Sequence, residues 1–338
     1  MAAESHDDLN TPDGSRSWAS DYHNPVLWNS VLEGLITDPA GVYVDATLGG
    51  GGHTAALLDA LGPSGRVVAI DRDEDALDAA RTRLDADVES GRLLTVRGRF
   101  GDLDRHVRSA GIDAVDGVLL DIGVSSHQFD RPERGFSHRF EAPLDMRMDR
   151  RQEKTAADLV NGLPEKELAD LIYAFGEEPA SRRIARRIAE ARPIETTTEL
   201  AAAVRASVPT RIEAKVVSRV FQALRIAVND EMDELEKALI ASTRVVRTGG
   251  RLAVISYHSL EDRRVKRFMR SGNFEGTVRK DLYGNPLTPW TPVGRSSITP
   301  DDAEIEQNPR ARSARLRIAE RAESETEESQ GYGNPQHH

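Results

Sequence analysis

A run of four glycines, Gly49 to Gly52, stands between a short segment ending in an acid, Val42-Tyr-Val-Asp45, and a helical pattern that begins at Thr54. Glycine lets a backbone turn sharply and lie against a ligand where a Cβ would clash. The unbonded N–H groups at the start of the following helix then face that ligand. A second apolar segment, Arg66-Val-Val-Ala-Ile-Asp71, ends in another acid about twenty residues on, where a carboxylate can accept hydrogen bonds from ribose hydroxyls. Together these elements suit an adenosine-containing cofactor, without saying which. Gly50-Gly-Gly52-His-Thr-Ala55 satisfies G-x-G-x-x-G/A, so a nicotinamide dinucleotide fits the spacing. S-adenosylmethionine would meet the same two elements with its methionine carboxylate and its ribose. A tight turn with no ligand is the third reading, weakened because four adjacent glycines destabilise a turn unless something must come close.

The elements around these residues alternate. Val42–Ala46, Arg66–Asp71, Leu93–Arg97 and Gly117–Asp121 read as short buried strands, with helical stretches such as Asp73–Leu84 between them. This is the first half of a doubly wound α/β sheet. From about residue 130 the strand signals stop and helices take over. Leu168, Leu171, Ile172 and Phe175 recur at helical spacing, and Ile184 and Ile188 share one side of an arginine-rich helix. Thr196-Thr-Thr-Glu199 has the spacing of a capping box. Further helical periodicity passes through Val217, Phe221, Leu224 and Val228 and then Met232, Leu235 and Leu239. The sheet restarts at Gly249–Tyr257, and Ser313–Ala319 alternates as a late strand. The expected organisation is a core of residues 21–129 and 216–321 interrupted by a helical insertion over 130–215, with acidic, disordered tails at 1–20 and 322–338.

With 338 residues and no cysteine, the chain can bury a full core, and disulfides, thiolate nucleophiles and cysteine–zinc sites are excluded. No segment is apolar enough to cross a bilayer and the first residues lack a signal-peptide core, so a soluble, cytoplasmic protein with no membrane partner is expected. The net charge of −11 argues against a nucleic-acid partner until its distribution is considered. The two tails carry −3 and −4, leaving only −4 on the 301 residues between them. Arginine is clustered within that stretch, over Arg131–Arg151, at Arg182, Arg183, Arg186 and Arg187, over Arg263–Arg270 and over Arg310–Arg317. Any one cluster reads equally well as a solvated helix face. Several together favour RNA or another polyanion, because guanidinium groups suit phosphate.

The chain resembles the bacterial 16S ribosomal RNA cytidine-N4 methyltransferase family known as MraW. The resemblance rests on Tyr22-His-Asn-Pro-Val-Leu27, Asp45-Ala-Thr-Leu-Gly-Gly-Gly-Gly-His53, Ala69-Ile-Asp-Arg-Asp73, Leu119-Leu-Asp-Ile-Gly-Val-Ser-Ser126, Glu133-Arg-Gly-Phe-Ser137, Pro143-Leu-Asp-Met-Arg-Met-Asp149, Phe221–Asn229, Ser256-Tyr-His-Ser-Leu-Glu-Asp262 and Asn308-Pro-Arg-Ala-Arg-Ser313. These segments occur in family order and span about residues 21–321. Lys215-Val-Val-Ser218 departs from the His-Pro-Ala-Thr of many members, and Gly272–Thr299 also diverges.

The resemblance implies a Rossmann-like class I S-adenosylmethionine-dependent methyltransferase core carrying an inserted all-helical substrate-recognition domain. It implies methylation of the exocyclic N4 of a cytidine in the decoding centre of 16S rRNA, within the small ribosomal subunit. No metal is required, since the sulfonium already activates the methyl group, and a homodimer is left open. By matching positions, cofactor contacts fall on Gly51, Gly52 and His53 in the loop, Asp71 at the ribose, Phe100 beside the adenine, and Asp121 and Gln128 after the fourth strand. The cytosine would meet Ser125, Ser126, Asp145 or His258, none singled out as the general base. Two rivals remain: a nicotinamide-dependent oxidoreductase, for which no hydride-transfer set stands out, and a non-catalytic RNA-binding assembly factor.

Overall fold

A computed structural model of the chain describes residues 25–124, 131–294 and 296–323. Both expected tails, apart from residues 322 and 323, lie outside these residues, as do Ser125, Ser126 and Gln128. Seven strands form one sheet: β1 (Val42–Asp45), β2 (Arg66–Asp71), β3 (Leu93–Arg97), β4 (Val115–Asp121), β5 (Val246–Ser256), β6 (Trp290–Pro292) and β7 (Arg315–Arg321), in the order β3-β2-β1-β4-β5-β7-β6. The first five are parallel, and β7 inserts antiparallel between β5 and β6. The order departs from the all-parallel 3-2-1-4-5-6 of dinucleotide-binding sheets.

Both faces of the sheet are covered, which is why its strands read as unbroken apolar runs. Alternate residues serve opposite faces. Tyr43, Val67, Ala69, Leu119 and Ile255 pack with Val31 and Leu35 of the helix Trp28–Leu35 and with Leu57 and Leu77. Val44, Val68, Ile70, Leu120 and Val254 pack on the other face with Leu103, Leu235, Leu239 and Phe268. The register brings Asp45 beside Ala69 and Leu119, so the carboxyl ends of β1, β2 and β4 reach one edge together.

The helical layer has a core of its own, running from Phe136 to Val228. It includes Val217, Val220, Phe221 and Leu224 of the helix Glu213–Asn229, so the helical packing extends beyond the residue-215 boundary expected from sequence. That boundary was hidden because the apolar periodicity continues into the helix Glu231–Val245, which packs on the sheet. The break between the two helices is Asp230, in the left-handed region at φ 53°. The capping box at Thr196 and Glu199 starts the helix Thr197–Arg205, and Ile184 and Ile188 are buried on the arginine-rich helix Ser181–Glu190.

A buried polar joint ties the helical layer to the sheet. Arg72, just past β2, donates to Asn229 O at 3.1 Å and to Met148 Sδ at 2.9 Å. Asn229, fully buried, accepts from Met148 N and donates to Met146 O and Arg225 O at 2.8–2.9 Å. Asp73 pairs with Arg134 at 2.9 Å, both side chains almost wholly buried, and Arg134 also donates to the carbonyls of Arg147 and Met148. Removing one member of a buried ion pair strands the other without water. Arg134→Ala is expected to lower unfolding free energy by about 3–5 kcal/mol in urea denaturation, far more than loss of the exposed Arg151–Asp149 pair.

Candidate active site

The carboxyl ends of β1, β2, β4 and β5 open into a cavity of about 700 Å³. One wall is the glycine loop, with Thr47, Leu48, Gly49, Gly50, Gly52 and His53, followed by Asp71, Arg72 and Phe100. The other is built from Asp121 to Val124 after β4, Tyr257 after β5, Arg139, Met148, Arg225 and Glu231 from the helical layer and its border, and Asn308 to Arg310.

Three strand-end acids organise this edge. Asp45 is fully buried and accepts from Thr54 Oγ1 at 2.7 Å and Thr47 N at 3.2 Å; burial raises its carboxyl above the ordinary value. Asp71 accepts from Gly49 N at 2.8 Å through one oxygen and from Asp73 N at 2.9 Å through the other. Each oxygen keeps a lone pair for a ligand. Burial pushes Asp71 up to about 6, against the pull of those two N–H donors. Asp121 lies between two partners, accepting from Tyr257 Oη at 2.9 Å while its second oxygen stands 3.4 Å from His53 Nε2. Burial, and next the Asp121 charge, push the Tyr257 phenol well above its ordinary range, so at neutral pH it is a fixed donor.

Of the sequence-predicted residues, Gly52, His53, Asp71, Phe100 and Asp121 meet at the cavity. Gly51 does not. It precedes the helix Gly52–Ala60 at φ 73°, and a Cβ there would meet Ala80 and Arg83 at 3.4 Å. The backbone favours glycine here, as it does at Gly49 with φ 49°, and Gly49, Gly50 and Gly52 are the glycines that line the cavity. Asp145 also lies outside the cavity lining. It is engaged by Arg147 through two bonds of 2.8 Å, and despite partial burial those bonds hold its carboxyl low. His258, the residue before the helix Ser259–Ser271, turns to Glu261 at 2.9 Å and likewise does not line the cavity.

Glu231 on the cavity wall, with His258 and Glu261, which do not line it, forms a three-residue cluster with the donor types of a metal site. The positive charge there comes from Arg225, which grips both Glu231 oxygens at 2.8 Å and lies 4.0 Å from Glu261. Residues not anticipated from sequence include Tyr257, Arg225 and Glu231. Tyr257 shared a usable signal with Asp71 and Asp121, since all three stand where a buried strand ends. Arg225 and Glu231 carried none, because they meet only across the break at Asp230.

A family model described as the MraW methylase family matches residues 20–322. The chain belongs to that family. Among curated relatives, the ribosomal RNA small subunit methyltransferase H of Flavobacterium johnsoniae is 47% identical over 304 residues, 89% of this chain and 98% of that protein. Its counterpart in Cytophaga hutchinsonii is 47% identical over 303 residues, 89% of this chain and 99% of that one. The protein of the same name in Bacteroides thetaiotaomicron is 46% identical over 303 residues, covering 89% and 97%. With membership in this methylase family, the nicotinamide reading of the glycine loop falls away.

Gly51→Ala follows from the geometry as a test of what that position does. A left-handed backbone costs an L-residue about 1–2 kcal/mol, so the variant should be less stable by that amount in chemical denaturation. Ligand affinity measured calorimetrically should stay within about threefold of wild type, less than 1.4 kcal/mol; a total loss of binding would put the side chain back in the cavity.

Proposed function

We propose that this chain transfers a methyl group from S-adenosylmethionine to the exocyclic N4 of a cytidine in the decoding centre of 16S rRNA. Methylation of small-subunit rRNA is the activity named for its close relatives, and cytidine N4 in the decoding centre is the finer reading. The observation that carries it is the arrangement of one cavity: a glycine loop and Asp71 on one side, and Asp121, Tyr257 and arginines on the other.

The residues present fit the methyl donor. Gly49, Gly50 and Gly52 leave the loop without side chains, Asp71 retains a lone pair on each oxygen for ribose hydroxyls, and Phe100 gives an apolar ring for the adenine. When bound, S-adenosylmethionine supplies an electrophilic methyl group on a sulfonium. Cytosine's amine is a poor nucleophile, its lone pair delocalised into the ring, so the protein's contribution is alignment. The base leaves its stack to enter the pocket. Asp121, read from sequence as a cofactor contact, serves in this proposal as the acceptor for N4: Tyr257 holds one of its oxygens, and the other, 3.4 Å from His53 Nε2, accepts. Arg139 and Arg310 line the same cavity and suit the phosphates flanking the base. A homodimer remains compatible with this chemistry. No described helix is long and apolar enough to cross a membrane.

Transfer of labelled methyl to small ribosomal subunits, followed by nucleoside analysis, is the deciding experiment. N4-methylcytidine is expected; subunits that bind but gain no label would favour the assembly-factor reading. Asp71→Ala should weaken S-adenosylmethionine binding by about 1.5–3 kcal/mol, one to two decades in Kd. The sign of its pH dependence follows from a carboxyl raised to about 6. Above that pH the charged acceptor is available, so affinity is flat; below it Asp71 takes up a proton and affinity falls. Asp71→Asn should abolish the slope in that window, and a wild-type affinity unchanged from pH 7.5 to about 5 would remove Asp71 from the ribose.

A further inference from the structure

Between the helix Ser259–Ser271 and β6 the chain leaves the sheet as a small hairpin. Its base is anchored: Phe268 and Phe274 stack with centroids 5.2 Å apart, and the buried Trp290 donates to Thr243 Oγ1 at 3.0 Å. Lys280 and Pro286 pair antiparallel, with Leu287 N bonded to Arg279 O at 2.8 Å and Asp281 N to Asn285 O at 3.0 Å. One side chain sets the tip. Asp281 accepts from the backbone N–H of Tyr283 and Asn285 and from the Asn285 side-chain amide, each at 2.8 Å. These bonds, the Asn285 amide foremost, hold its carboxyl below the ordinary value.

What this fixed tip presents to water is apolar. Leu282 is 101% exposed and Tyr283 92%. Around it, among the described residues, Lys266, Arg267, Arg270, Arg279 and Lys280 form no ion pair with a carboxylate, whereas Arg263 and Arg264 pair with Glu177 and Glu236. The arginines of the helix Ser181–Glu190 are partly neutralised too, Arg186 by Glu165 and Arg187 by Glu190. Arg267 and Arg270 donate instead to the carbonyls of Phe274 and Gly276, so in a chain of net charge −11 the hairpin with the exposed Tyr283 and the helix before it carry, among the described residues, five cations with no carboxylate partner.

An aromatic ring for an unpaired base, with cations for the adjoining phosphates, is the composition of a single-stranded RNA contact. We infer that the hairpin 279–287 is an RNA-docking finger, in which Tyr283 stacks on an unpaired base of the substrate and Arg279 and Lys280 meet its phosphates. This rests on the rRNA reading given above. Topology sets the reach. Tyr257 lines the cavity at the end of β5, and the 13-residue helix that follows carries the chain back along the sheet, about 20 Å at 1.5 Å per residue. The finger therefore stands at the opposite edge of the sheet from the cavity. An RNA that touches both is folded and spans that distance.

The test compares wild type, Tyr283→Ala, Tyr283→Trp and the double variant Arg279→Gln/Lys280→Gln on small ribosomal subunits and on a short RNA carrying only the target stem. On subunits, Tyr283→Ala should raise KM by about tenfold, with kcat and S-adenosylmethionine affinity unchanged, and Tyr283→Trp should restore it. The double variant should flatten the salt dependence of binding by roughly 0.7 per cation. On the short RNA, wild type and Tyr283→Ala should be equal. Equal KM values on subunits would overturn the finger. So would sedimentation showing a wild-type dimer that Tyr283→Ala turns into monomers, since the tip would then belong to a second copy. If wild type transfers no methyl to subunits, the rRNA reading fails by itself; co-sedimentation of subunits with the two proteins still decides the finger, equal affinities overturning it.

Discussion

A carboxylate at the end of a buried strand must be bonded by whatever closes over it, and Asp71 is bonded by the two loops it organises. One oxygen holds Gly49 and so fixes the path of the glycine loop; the other holds Asp73 and so fixes the turn out of β2. That turn aims Arg72 at Asn229 and Asp73 at Arg134, the polar joint on which the helical layer rests. The placement of the cavity's second wall thus descends, bond by bond, from one acid on its first. Asp71 itself lines the cavity, and its raised affinity for a proton reflects how little water the surrounding loops admit.

Around Arg225 the charge at the cavity's border is arranged in pairs. Arg225 answers Glu231 and stands near Glu261, and His258 closes the same cluster from the start of the next helix. Tyr257 joins that cluster to the strand-end edge of the cavity: its N–H bonds Glu261 at 2.8 Å and its hydroxyl bonds Asp121 at 2.9 Å. Such pairing keeps the acceptors of this border rigid, since a mobile arginine would compete for them.

Much of this was legible in the residues. The strand-end acids, the glycine loop and the alternation that buries both faces of β2 and β4 are local patterns, and local patterns survive in sequence. So was the capping box at Thr196, whose partners lie three residues apart. What escaped was long-range or conformational. Gly51 looked like its neighbours in the sequence, but it sits at φ 73° facing Ala80 and Arg83, while Gly49, Gly50 and Gly52 line the cavity. Asp145 and His258 carry suitable chemistry, yet each is held by a partner nearby, Arg147 and Glu261, and spacing does not show which way a side chain turns. The end of the helical layer was invisible because Asp230 breaks the backbone without breaking the apolar rhythm.

The position of β7 has a consequence for how such a chain is born. This strand, residues 315–321, pairs with β5 on one side and β6 on the other, so the last strand in order sits inside the sheet. During synthesis the N-terminal strands can assemble while Arg251–Ser256 of β5, the stretch that β7 pairs, waits with a bare edge. An uncovered edge of that length is a template for pairing with other chains. The interval between making residue 256 and residue 321 is therefore the molecule's most aggregation-prone period, and shielding by the ribosome or a chaperone matters most there.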